Sequence, residues 1–143
     1  MSVIPEALRK IVIERASGRC EYCGLSQNGQ VATFHIDHIV PRASGGLSHG
    51  DNLALACVSC SLRKAARQTA LDPTSGQEVL LYHPRQQTWA EHFEWDIVRL
   101  VGLTATGRAT IELLKLNRRL MLSIRLEEML LDRHPPPPQW QRR

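Results

Sequence analysis

Aromatic residues are scarce in this 143-residue chain, at 5% of the total. A core must therefore come mainly from Leu, Ile, Val and Ala, and a core of that kind in a short chain often needs a metal or covalent staple. No apolar run approaches the roughly 20 residues needed to cross a bilayer, so a membrane-spanning role is excluded. A basic n-region, an apolar h-region and a cleavage site are all missing, which argues against an oxidising compartment and for a cytoplasmic one. Acids are missing from the whole stretch 52–71, whereas Arg63, Lys64 and Arg67 fall inside it. The net charge of +4 and pI near 9.2 suit a phosphate-bearing partner.

Cysteine is rare as well, but its placement is informative. All four cysteines form two Cys-x-x-Cys pairs, Cys20/Cys23 and Cys57/Cys60, 33 residues apart. Four thiolates in two paired turns match the ligand set of a tetrahedral structural Zn²⁺, and in a reducing compartment metal binding outweighs two disulfides. The pairs bracket Phe34-His35-Ile36-Asp37-His38-Ile39-Val40-Pro41, where a carboxylate suited to a hard cation adjoins an imidazole.

The spacing of Leu8, Ile11, Val12 and Ala16 predicts an N-terminal helix that opens at Pro5, with Ser2 as a candidate cap, and stops at Gly18. Residues 31–40 read as a strand ended by Pro41, followed by a loop through Gly45-Gly46. Ser59 or Ser61 is expected to start a helix running to about Thr69. Beyond it, 79–82 reads as a short strand, 93–103 as a strand pair or one bent strand, and Thr106 onward as two amphipathic helices broken at Asn117. Pro135 to Pro138 predict an extended, exposed tail. The expected division is residues 1–72, then 73–134, then a Pro-rich tail over 135–143.

Cys20-x-x-Cys23, Ile36-Asp37-His38-Ile39-Val40-Pro41, Gly45-Gly46, Asn52-Leu53 and Cys57-x-x-Cys60 with Lys64 together resemble the HNH (His-Asn-His) endonuclease family. The likeness spans roughly residues 9–67, about 40% of the chain. It implies an α+β fold: a small ββα-metal module with a zinc-bound double knuckle, an N-terminal helix and a helical C-terminal extension. Tyr82-His83-Pro84-Arg85, Trp89, His92-Phe93, Trp95 and Gly107-Arg108-Ala109-Thr110 resemble an extension shared by a bacterial subgroup of such proteins.

The resemblance implies metal-dependent hydrolysis of DNA phosphodiester bonds. His38 takes the place of the general base, because imidazole titrates near the working pH. Asp37 takes that of the ligand to Mg²⁺ or another divalent ion, which polarises the phosphate. Adjacent strand residues face opposite ways, so the two share a site only where the strand end is distorted. Asn52 matches the residue whose amide braces the hairpin loop, although a helix cap is an equally natural use of Asp51-Asn52. Ser61 departs from the family: His or Asn usually follows the fourth cysteine as second metal ligand, and a hydroxyl is a weaker one. His35 shares the face of Asp37 by period and is a candidate substitute, with a plain surface histidine as the simpler reading. Arg63, Lys64 and Arg67 are placed for phosphates, contacts that fix register without reading sequence.

Two other readings compete. A zinc-stabilised nucleic-acid-binding module that does not cut fits Ser61 but leaves the Asp37-His38 pair without a purpose. A zinc-stabilised protein-interaction domain, using the Leu-rich C-terminal helix, also leaves the basic stretch unexplained.

Overall fold

The computed structural model describes residues 4–143; the candidate cap Ser2 lies outside them. Helix α1 (Glu6–Arg15) starts after Pro5, which fixes φ for the first turn. It buries Val12, with Ala16 just past its end. Gly18, at φ +67°, donates to the Ile13 carbonyl and turns the chain into Cys20. The first knuckle follows, and Gly24, at φ +79°, closes it.

The strand expected over 31–40 forms only as β1 (His35–His38). The Gln27 side chain engages the segment before it, accepting from Phe34 N at 2.7 Å and donating to Ala32 O at 3.0 Å. Those backbone groups are bonded to a side chain instead of a neighbouring strand, and Val31 is left fully exposed. β1 pairs antiparallel with β2 (Leu53–Ala56), with His35 opposite Ala56 and His38 opposite Leu53. β2 is buried along its whole length, with α1 packed against it. Arg15 Nη2 donates to Leu53 O at 2.8 Å across that contact.

Helix α2 (Val58–Lys64) begins earlier and ends earlier than the sequence predicts. Cys57 caps it through Sγ, and Ala65, at φ +48°, stops it. Ser61 is therefore mid-helix and not a cap, and Arg67 lies beyond the helix. The chain then forms the hairpin β3 (Thr69–Leu71) and β4 (Glu78–Leu80), a short helix α3 (Trp89–His92), and the hairpin β5 (Phe93–Asp96) and β6 (Arg99–Gly102). Helices α4 (Ala105–Leu114) and α5 (Arg119–Leu130) follow, with Thr104 capping α4 through Gly107 N. Asn117, between them, clamps β6 by accepting from Leu100 N and donating to Leu100 O, both at 2.8 Å.

The tail is only in part the exposed extension that its prolines predict: Pro135, Pro137 and Pro138 are exposed, but Pro136 is buried. Helix α6 (Pro138–Gln141) buries Trp140, whose indole donates to Ala16 O at 3.2 Å and stacks edge-on against Trp89 at 5.4 Å. Trp89 meets Phe93 at 5.0 Å and Trp95 at 5.5 Å. The scarce aromatics are thus pooled in one place, where each buries a large apolar area. One buried cluster draws on Val12, the cysteines, Trp89, Leu114 and Trp140 alike. No helix among the described residues is long and apolar enough to cross a membrane.

Candidate functional site

The four cysteines converge. Their Sγ atoms all lie within 4.8 Å of one another, all are buried, and Cys23 Sγ and Cys57 Sγ are 3.8 Å apart. Zn–S bonds of about 2.3 Å in a tetrahedron require S···S edges of roughly 3.8 Å, so the donor set and its size fit Zn²⁺. Each knuckle turns an amide onto its first sulfur: Cys23 N to Cys20 Sγ at 3.5 Å and Cys60 N to Cys57 Sγ at 3.4 Å.

Beside this cluster lies an open cleft of about 420 Å³, lined by His35, Asp37, His38, Arg42, Ser61 and Ala65 among others. Asp37 and His38 therefore do face one space, although strand period alone would separate them. The strand ends at His38, and Pro41 leads into a short turn closed by Gly45 at φ +88°. Gly46 follows where any Cβ would overlap the Val40 carbonyl. Asn52 holds this turn to the strand end. Its Oδ1 accepts from Val40 N at 2.8 Å, and its Nδ2 donates to Val40 O at 3.1 Å and Leu47 O at 2.9 Å.

His38 Nε2 sits 2.9 Å from Ser48 Oγ. Burial, then the positive charge of Arg42, lowers the His38 imidazole below its usual value and favours the neutral ring. Asp37 is 8% exposed and receives two bonds on Oδ2, from Tyr22 Oη at 2.7 Å and from Lys64 Nζ at 3.1 Å. Burial pushes its carboxyl up, while Lys64 and Tyr22 oppose that shift. His35 Nδ1 lies 2.9 Å from Ser61 Oγ, so these two side chains meet at the cleft beside Asp37.

Of Arg63, Lys64 and Arg67, Lys64 is placed otherwise than the sequence suggests. Lys64 is 2% exposed and donates to His38 O and Ile39 O, each at 3.2 Å, besides pairing with Asp37. It cannot reach a phosphate. Arg63 lines a separate apolar groove with Leu25, Leu62 and Met121, and Arg67 is exposed past the end of α2. The arginine on the cleft is Arg42, which sequence reasoning missed, as it missed Ser48 and Tyr22. Only the residue type of Arg42, beside Pro41, was available as a signal; Ser48 and Tyr22 carry none.

An Asp and a His on one hairpin, a loop braced by Asn, and a helix rising from a four-cysteine cluster form a ββα arrangement. Residues 20–67 match the family model for HNH endonuclease, over the same stretch that holds the cysteine cluster and the cleft. No curated protein matches the chain.

Proposed function

We propose that the protein is a metal-dependent DNA endonuclease in which His38 is the general base and Asp37 holds the catalytic cation. The observation that carries this reading is that Asp37 and His38 line one open cleft beside Ser61 and Arg42, while Asn52 fixes the loop above them.

The donors fit a hard divalent ion such as Mg²⁺: a carboxylate with Oδ1 outside the two bonds that hold Oδ2, a serine hydroxyl, and room for water. When bound, the ion would supply charge stabilisation at the scissile phosphate and the leaving oxygen. The rest falls to the chain. The base role requires the tautomer in which Nε2–H of His38 donates to Ser48 Oγ, 2.9 Å away, and Nδ1 keeps the lone pair that takes a proton from water. Asn52 keeps the backbone at Val40, and so the imidazole, in register. Arg42 meets the phosphate backbone at the mouth of the cleft. Lys64 leaves the DNA-contacting set; Arg63 and Arg67 remain as exposed contacts farther from the cleft.

Ser61 favours one second reading, a module that binds nucleic acid without cutting. Supercoiled plasmid incubated with the protein and graded Mg²⁺ or Mn²⁺ separates them. The nuclease reading predicts nicked or linear product that rises with metal, and a bound but intact plasmid at every metal concentration contradicts it.

A further inference from the structure

Tyr22 stands between Cys20 and Cys23, and Lys64 stands four residues after Cys60 at the end of α2. Each knuckle thus carries one donor, and both donors end on the same atom, Asp37 Oδ2. We infer that Tyr22 and Lys64 are positioning residues through which the cysteine site sets the orientation of Asp37, and with it the affinity of the cleft for a divalent cation. The inference rests on the proposed role of Asp37 as the ligand of that ion.

The geometry leaves these side chains little else to do. An ammonium has three N–H donors, and those of Lys64 match three acceptors: Asp37 Oδ2, His38 O and Ile39 O. None is left for a phosphate or for proton transfer. Tyr22 is 1% exposed, and the Trp89 indole holds its backbone by donating to Tyr22 O at 3.0 Å. The Tyr22 hydroxyl has Asp37 Oδ2 as acceptor at 2.7 Å. With Oδ2 gripped from two elements, the carboxylate cannot rotate freely, and Oδ1 is the oxygen left for an ion. Outer partners of this kind typically account for about 10- to 100-fold in metal affinity. If the cysteine site loosens, both donors move together, so occupancy of one metal site controls the other.

The test measures binding of Mn²⁺ alone, without DNA, by the paramagnetic resonance of free ion, on zinc-loaded full-length protein. Tyr22→Phe removes only the hydroxyl. It should raise the Mn²⁺ Kd by about tenfold or more, with zinc content and Tm near parental. Lys64→Arg keeps the charge but alters the reach, and should also weaken Mn²⁺. If it fails to fold, Tyr22→Phe decides alone. Asp37→Ala should abolish this binding; a parental Kd there overturns the ligand role and this inference with it. Loss in Asp37→Ala beside a parental Kd in Tyr22→Phe overturns the coupling only.

Discussion

Ser61 is the residue at which sequence and structure together ask the sharpest question. Its hydroxyl meets His35 at the cleft edge, mid-helix, so the capping role that serine often fills is already taken by Cys57. A stronger donor placed there should help hold the ion, and imidazole suits borderline metals. Ser61→His is expected to lower the metal concentration for half-maximal plasmid cleavage and to shift preference toward Ni²⁺; an unchanged midpoint would refute a ligand position. Arg42 makes a different kind of prediction. As a phosphate contact, its replacement by Ala should weaken DNA binding uniformly across sequences and reduce the salt slope of log K by about one, read by fluorescence anisotropy across a salt series. The placement of Asp37, His38 and Asn52 at one hairpin was legible because it follows from residue type and order. Tyr22 and Lys64 were not, because a buried lysine bonded to carbonyls 25 and 26 residues away leaves no periodic trace.

Among the elements, the hairpin β3–β4 is tied to α4 by one ion pair. Arg108 grips Asp72 with Nε and Nη2, each at 2.9 Å, and Ser75 adds a bond of 2.7 Å. The guanidinium holds the Asp72 carboxyl well below the usual carboxylate range. A depressed folded value means that this stabilisation is complete above the unfolded value of about 3.9 and fades as pH falls through the folded one. Asp72→Asn should therefore melt lower than the parent at neutral pH, and the two Tm curves should begin to approach each other only below about pH 4; curves that stay parallel into acid would contradict this. The tail is the other exposed assumption. Four prolines in a row predict extended, solvated chain, and Pro135, Pro137 and Pro138 are exposed, yet Pro136 and the next apolar ring, Trp140, are buried. Trp140→Ala should cost about 3–5 kcal/mol in denaturant unfolding. An isolated Trp after a Pro run does not announce its partner, which is why this contact was invisible in the sequence.

Across the whole molecule, the cysteine site is the hub. The knuckle residue Glu21 is buried and accepts from Leu55 N at 2.8 Å, while Arg85 and Arg143 both pair with its carboxylate. Hairpin, middle segment and C-terminus are thereby all fastened to one turn of chain. Because binding free energy at such a site is largely folding free energy, Cys57→Ser should lose zinc and lower Tm together, and reduced, unstripped protein should carry one zinc per chain by elemental analysis. The knuckles and the hairpin between them were legible because ligand spacing is local. The packing of the last third was not, since it depends on Trp140, which reaches Trp89 from far along the chain and bonds the Ala16 carbonyl 124 residues away. The central claim is catalytic, and it turns on one side chain that is not among the four cysteine ligands. The initial rate of plasmid cleavage, compared between parent and His38→Ala at equal zinc content and saturating Mg²⁺, tests it most directly. Loss of a general base predicts a rate lower by about a hundred- to ten-thousandfold, whereas cleavage by His38→Ala at the parental rate would contradict the account.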